Sequence, residues 1–422
     1  MSRPRAVVLV TGSELVRGDR TDRNGPFLAR ELLSLGLEPA RIVVVGDSAE
    51  ELEPAFREAL EADLCVVSGG LGPTHDDRTV EVLARVAGRE LVVDKALEGE
   101  IERVSRSVAE RLRRPYADFA AGVRKQATLP AGAIPIGLAG TAPGLVLENA
   151  SSAVVVLPGP PPELRRLWPA ALETAPLRAL LARARPPVRR VLRFYGASES
   201  TVAQAFADVG GEEGVETTIC AREFEIHVDL VADRGAEERA AALASALRER
   251  LDRYFFADDE RPVEELLLEL CRERGLSLGT AESCTGGLVA ARLTSVPGSS
   301  DVFRGSIVAY DNAVKRDELG VGEGLLERHG AVSAEVAEAM AEGVRARLGV
   351  DLGVSDTGIA GPGGGTAKKP VGLVYVHVAG ADGGLARKLD FPGDRQTIRT
   401  RAAVAALHLC RRFLTQNRDS TA

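Results

Sequence analysis

Cysteine and histidine are scarce in this sequence, five of each in 422 residues, and neither gathers anywhere along the chain. The cysteines (Cys65, Cys220, Cys271, Cys284 and Cys410) are odd in number and far apart. That spacing excludes a disulfide framework and a paired-cysteine zinc site, and it fits a reducing, cytoplasmic setting. The scattered histidines argue against a histidine-based metal centre. No apolar run approaches the roughly 20 residues that span a bilayer, and the N-terminus lacks the apolar segment of a signal peptide, so no membrane partner is expected. A dense Lys/Arg block is also missing. Arg111–Arg114 and Arg183–Arg190 are short, and a formal charge of −8 argues against direct nucleic-acid binding.

What is present is a globular composition, 45% apolar and 27% charged, in a chain too long for a single core. Two or three domains are expected, with boundaries at 1–178, 179–261 and 262–416. In the first region Arg5–Val10, Arg41–Val45 and Asp63–Val67 read as strands, each followed by a loop and a helical pattern. Pro26–Leu35 carries Phe27, Leu28, Leu32 and Leu35 at helical spacing, and Ser48 with Glu51 forms a capping box before Leu52, Phe56 and Leu60. Repeated strand–loop–helix units predict an α/β fold, a parallel sheet covered by helices on both faces, with ligands beyond the carboxyl ends of the strands.

Three of those strand ends carry glycine with an acid: Gly12 and Glu14, Gly46 and Asp47, and Gly69, Gly70 and Gly72 followed by Thr74, Asp76 and Asp77. Glycine-rich turns offer free N–H groups to phosphate, and acids there can hold a divalent metal or a ribose hydroxyl. Singly, each acid is the ordinary first-turn residue of a helix; their convergence points to a phosphorylated ligand, with Asp47 and Asp77 as candidate metal ligands. The turns Gly140–Gly144 and Pro158–Leu164 are read the same way.

The middle region starts as a linker at Arg183–Arg190 with Pro186-Pro187. It continues as a small α+β module in which Glu225–Val231 alternates Ile226, Val228 and Leu230 against Glu225, His227 and Asp229, a half-exposed strand with His227 in solvent. Nothing catalytic is expected there.

The third region is a second α/β domain organised around Ala-Glu-Ser-Cys-Thr-Gly-Gly (281–287), which joins a strand to the helical pattern Leu288–Leu293. Ser283 or Cys284 is the candidate nucleophile. Glu282 either orients a ligand or caps the helix, and Thr285, Gly286 and Gly287 offer close backbone approach and free N–H groups. Val302–Tyr310 reads as a strand leading to Lys315, a candidate base where burial lowers its pKa. Leu352–Val354 leads into Asp356–Thr366, where Thr357, Gly358, Ala360, Gly361, Gly363 and Gly364 form a loop suited to an oxyanion or phosphate. No histidine with a supporting acid accompanies the serine, so Ser–Lys is the remaining hydrolytic pairing. Cys271 lies on the apolar face of Val263, Leu266, Leu267 and Leu270 and is assigned to the core.

These strings resemble a known family. Gly-Ser-Glu-Leu, Ser-Gly-Gly-Leu-Gly-Pro-Thr-His-Asp-Asp, Arg-Lys-Gln-Ala (124–127), Gly-Thr-Ala-Pro-Gly and Leu-Pro-Gly-Pro-Pro-Pro-Glu-Leu are similar to the molybdopterin-binding-like domain of the competence/damage-inducible CinA family, related to the MogA/MoaB fold. The resemblance implies metal-dependent ADP-ribose pyrophosphatase activity for that domain. Ser13, Arg17 and Asp19 depart from the family pattern, as does Ala121-Gly122-Val123 where an asparagine is usual. The middle module resembles the family's KH-like connector, without a Gly-x-x-Gly loop of the RNA-binding kind. Ala-Glu-Ser-Cys-Thr-Gly-Gly, Tyr-Asp-Asn-Ala-Val-Lys, Gly-Ala-Val-Ser (330–333) and Gly-Ile-Ala-Gly-Pro-Gly-Gly-Gly with Lys-Pro-Val-Gly (369–372) resemble its C-terminal domain, the PncC amidohydrolase. That resemblance implies deamidation of nicotinamide mononucleotide (NMN) with Ser283 as nucleophile, Lys315 as base, Tyr310 as helper and no cofactor. The expected partners are NMN, ADP-ribose and further copies of the chain, as a homo-oligomer. Two other classes stand beside this reading: a pterin- or nucleotide-binding protein without turnover, and an interaction protein of DNA uptake or repair.

Overall fold

The computed structural model describes residues 3–150, 152–232 and 234–416. The chain forms two compact units, Met1–Val188 and Arg189–Ala422.

In the first unit β1 (Arg5–Thr11) is an uninterrupted apolar run because both its faces are covered. Val7 and Leu9 enter one core with Leu52 and Phe56, whereas Ala6, Val8 and Val10 enter the opposite core with Leu28, Leu32 and Trp168. The helices Asn24–Ser34 and Ala49–Ala59 supply those apolar faces, and Ser48 caps the second by accepting from the Glu51 amide. The remaining strands are β2 (Glu38–Val45), β3 (Leu64–Ser68), β4 (Leu91–Val93), β5 (Thr128–Pro130), β6 (Ile134–Ala139), β7 (Ala142–Asn149) and β8 (Ser152–Leu157). The sheet order is β2-β1-β3-β8-β7-β6; the first four strands are parallel and the last two pairings antiparallel, so the expected parallel sheet is extended by a hairpin. Gly140 and Thr141 are its turn, with Gly140 at φ +75°, and because β7 runs antiparallel to β8 this turn lies at the same edge as the carboxyl ends of β3 and β8.

The second unit starts with a four-stranded sheet, order β10-β11-β9-β12, from β9 (Val188–Tyr195), β10 (Val215–Arg222), β11 (Glu225–Ala232) and β12 (Phe255–Ala257). The helices Glu199–Val209 and Glu237–Arg250 cover it through Val202, Phe206, Leu243 and Leu247. A five-stranded sheet follows, order β14-β13-β15-β16-β17, from β13 (Leu278–Glu282), β14 (Phe303–Val308), β15 (Leu352–Gly358), β16 (Leu373–Gly380) and β17 (Gly383–Asp390). β14, β13 and β15 are parallel, so their carboxyl ends and the loops after them share one edge. Helices Val263–Arg274 and Arg395–Gln416 bury one face, Cys271 included, and Ala334–Leu348 buries the other. That last helix lies so close to the sheet that a Cβ on Gly353 would stand 2.1 Å from the Ala341 carbonyl oxygen.

β11 departs from expectation. Glu225 is buried rather than solvated, and His227 is half-buried beside it. The helix Arg395–Gln416 covers the start of β11 and sets His408 Nε2 2.7 Å from one Glu225 oxygen, while the Arg193 guanidinium donates to the other. The His408 ring stacks on Tyr195 at 3.8 Å. Polar residues on a covered face must pair instead of hydrating. Burial raises the Glu225 pKa, but hydrogen bonds from His227 and His408 and the charges of His408 and Arg193 outweigh it and hold the carboxyl at about 2. A depressed carboxyl stabilises the fold above its unfolded pKa, and that contribution is lost as pH falls toward 2. Glu225→Gln should therefore cost on the order of 3 kcal/mol near neutral pH. The gap to the parent in denaturant unfolding should close as pH drops below the ordinary glutamate value of 4.5. A gap independent of pH would contradict this assignment.

Candidate active site

The loops after β13, β14 and β15 enclose a cavity of about 230 Å³ lined by Ser283, Cys284, Tyr310, Asn312, Lys315, Ala331, Val332, Thr357, Gly358, Ala360 and Arg395. The expected Ser283, Tyr310, Lys315, Thr357, Gly358 and Ala360 thus meet in one place. Thr285, Gly286, Gly287, Gly361, Gly363 and Gly364 do not line the cavity.

The reason lies beneath it. Glu282, 1% exposed, turns its carboxylate back under the turn and accepts from six donors. They are the amides of Gly287 (2.8 Å), Val289 (3.0 Å) and Ala290 (2.8 Å) and the hydroxyls of Thr280 (3.3 Å), Thr285 (2.7 Å) and Ser306 (3.2 Å). The amides at the start of the helix Leu288–Thr294 are therefore satisfied from within, and Glu282 is a cap rather than a ligand group. Gly286 and Gly287 adopt φ +61° and +96°, which lets the chain fold over that carboxylate. Arg399 closes the turn from outside, donating to the Cys284 and Thr285 carbonyls. The Ser283 and Cys284 amides donate to nothing among the described residues, leaving them as the available oxyanion donors.

Asp356, buried in β15, accepts from the Thr285 amide at 3.0 Å and the Cys284 thiol at 3.0 Å, and its second oxygen lies 2.5 Å from the Thr285 hydroxyl. That hydroxyl has one proton but stands between two carboxylates. If it donates to Glu282, Asp356 must carry the proton in the other contact. Burial raises the Asp356 pKa, in agreement, and the nearby Glu282 adds to the effect. Burial also drives the Cys284 thiol well above its ordinary value, with Asp356 adding to the shift, so Cys284 is held as a thiol.

Lys315, 1% exposed, has no acid within ion-pair distance among the described residues. Its Nζ donates to the Ala309 carbonyl at 2.7 Å and lies 3.4 Å from that of Tyr310. Desolvation lowers its pKa, opposed by attraction to Asp356 and Asp311. At the mouth, Arg395 donates to the Gly361 carbonyl (2.8 Å) and the Tyr310 hydroxyl (2.6 Å). Sequence reasoning overlooked Asn312, Asp356, Arg395 and Arg399. For Asp356 a signal existed, since a carboxylate straight after Val354-Ser355 in a buried strand demands partners.

With this architecture in hand, similarity is specific. The family model for the CinA C-terminal domain matches residues 260–414, the damage-inducible protein CinA KH domain 189–257, and the probable molybdopterin binding domain 7–177. A CinA-like protein of Mycolicibacterium vanbaalenii is 44% identical over 419 residues, covering 97% of this chain and 99% of its own length. The chain belongs to the CinA family. A CinA-like protein of Mycobacterium leprae is 43% identical, with 97% of each chain covered. Among solved structures, the competence/damage inducible protein of Agrobacterium tumefaciens is 40% identical, covering 38% of this chain and 99% of its own, at a TM-score of 0.35.

The first unit of this CinA family member holds a cavity of about 690 Å³ at the carboxyl ends of β1 and β3, lined by Thr11, Glu14, Arg20, Asp22, Asn24, Ser68 and Gly159 among others. Of the expected acids only Glu14 lines it, joined by Gly159, Pro160 and Pro161 of the expected turn Pro158–Leu164. Asp47 accepts from the Ser13 amide and hydroxyl, both at 2.8 Å, tying the loop after β2 to that after β1, and Asp77 accepts from the Thr74 amide and hydroxyl within its own turn. Among the described residues no group of three or more potential ligands is placed to hold a metal ion. Asp47 and Asp77 therefore do not fit a shared divalent cation. The described residues also contain no helix long and apolar enough to cross a membrane.

The raised Asp356 pKa carries a stability consequence. A carboxyl whose folded pKa is raised stabilises the fold below its unfolded value and loses that contribution as pH rises through the folded value. Asp356→Asn supplies an amide that needs no proton, so its melting temperature relative to the parent should be higher at pH 8 than at pH 5. A loss of several kcal/mol at both pH values would mean an ionised, paired Asp356.

Proposed function

We propose that the second unit is an amidohydrolase that converts NMN to nicotinate mononucleotide and ammonia. One observation carries the reading: a free serine hydroxyl and a desolvated lysine without an acid partner line the same small cavity, where the motif resemblance expects them.

In this mechanism Lys315, as the neutral amine, takes the Ser283 hydroxyl proton while Oγ bonds to the carboxamide carbon. The Ser283 and Cys284 amides receive the oxyanion. The C–N bond breaks as Lys315 returns the proton to nitrogen, and ammonia leaves. Water then attacks the ester with Lys315 again as base, releasing the carboxylate and restoring Ser283. Cys284, a buried thiol donating to Asp356, lacks the thiolate a cysteine nucleophile requires. Arg395 at the mouth is the group suited to the phosphate of the nucleotide. No metal takes part in this scheme. In the first unit, the cavity beside Glu14, Arg20 and Asn24 suits a phosphorylated, hydroxyl-rich ligand such as ADP-ribose, but the acids there support no metal-dependent step.

Ammonia release from NMN tests the reading. Ser283→Ala and Lys315→Ala should each lose at least about a thousandfold in kcat while remaining folded. Because desolvation lowers the Lys315 pKa, the rate should rise with pH and level off below the ordinary lysine value of 10.5. Parent protein that releases no ammonia, or a Ser283→Ala variant at full rate, would overturn it.

A further inference from the structure

A second cavity in the same unit, about 510 Å³, lies between β12 and the helix Arg395–Gln416 and shares no lining residue with the Ser283 cavity. Arginines from three separate elements converge on it: Arg253 just before β12, Arg387 from β17, and Arg411 and Arg412 from the last helix. Asp252 is the sole carboxylate in the lining. None of the four guanidiniums has an acid within ion-pair distance among the described residues. Arg411 donates to the Phe256 carbonyl and Arg253 to the Tyr254 hydroxyl. The Arg387 side chain, exposed on β17, has no hydrogen bond or ion pair among the described residues.

An excess of three positive charges in one concavity, on a chain of net charge −8, is a local field that attracts anions. Burial pushes the Arg411 guanidinium below its ordinary value, opposed only by the distant pull of Glu225, as expected of a cation short of a counter-charge. The other walls are aromatic, with Tyr195, Tyr254, Phe255 and Phe256 beside the arginines. Planar guanidinium forks grip phosphate oxygens in pairs, while an aromatic wall accepts a flat ring or sugar face. The volume falls within the roughly 300–1,000 Å³ usual for small-molecule sites.

We propose that this cavity is a second ligand site that takes a phosphate-bearing nucleotide, gripped by Arg253, Arg387, Arg411 and Arg412 against the aromatic wall. Such a ligand bridges the small connector sheet and the last helix of the catalytic domain, adding the anion that this interface lacks.

Phenylglyoxal footprinting of the full-length chain, read by mass spectrometry, tests the site without reference to turnover. AMP and inorganic pyrophosphate serve as probes, with the exposed Arg103 as internal control. At a probe concentration about ten times Kd, occupancy alone gives roughly tenfold protection of Arg387 and Arg412 and none of Arg103. In calorimetry, the double variant Arg387→Glu, Arg412→Glu should lose one AMP-binding equivalent while its far-ultraviolet circular dichroism stays that of the parent. Unprotected Arg387 and Arg412 at millimolar probe, or an isotherm unchanged in the double variant, would overturn the proposal. Protection by an acidic peptide but by neither phosphate probe would overturn it too.

Discussion

The Glu282 carboxylate is the constraint on which the Ser283 cavity depends. A buried acid at the end of a central strand is costly unless its oxygens are satisfied, and six donors from the turn, the next helix and β14 do this. In doing so they set where everything else stands. The turn is drawn inward, so Ser283, just before it, is left facing the cavity with an unbonded amide. Thr285 is held between two carboxylates, Glu282 and Asp356. One buried carboxylate thus fixes where Ser283 and the turn around it stand.

The two sheets follow the same rule and use it differently. In each, parallel strands end together and glycine-bearing loops gather at that edge. In the first unit the acids of those loops are consumed locally: Asp47 by Ser13, Asp77 by Thr74. The cavity there opens instead beside Glu14, Asn24 and Ser68, with Asn24 donating to both the Ser68 hydroxyl and the Gly159 carbonyl. In the second unit the acids sink below the turn and the hydroxyl, amine and guanidinium groups remain at the surface of the cavity. The chemistry available at an edge depends on which side chains are spent on holding its turns.

Legibility from sequence divides along the same line. Apolar period and capping residues are local, so β1, the helix after Ser48 and the core position of Cys271 were readable. Ser283, Tyr310 and Lys315 were legible as a set only through the family resemblance; the residues alone left Ser283 and Cys284 open and did not single out Tyr310. Long-range satisfaction was not legible. Glu282 admitted two readings until the Val289 and Ala290 amides were seen to reach it, and Asp47 looks like a metal ligand until Ser13 is found on it. β11 is the clearest case: its alternation is that of a half-exposed strand, and only the arrival of His408, 183 residues further on, turns the polar side into a buried ion cluster. β10 was missed because Thr217, Thr218 and Cys220 offer too weak an apolar alternation.

The helix Arg395–Gln416 ties these features into one body. Its first turns carry Arg395 and Arg399, which brace the mouth and the Ser283 turn. About 20 Å along the axis, at 1.5 Å per residue, it carries His408, Arg411 and Arg412, which meet Glu225 and line the arginine-rich cavity. Between them Ile398, Ala402, Ala406 and Leu409 are almost wholly buried against the sheet, so this helix cannot bend freely and any displacement is shared along it. The same helix thus lines the arginine-rich cavity at one end and holds the Ser283 turn at the other. The small residues at positions 402, 403, 405 and 406 bring the helix close to β16 and leave little slack to absorb a shift.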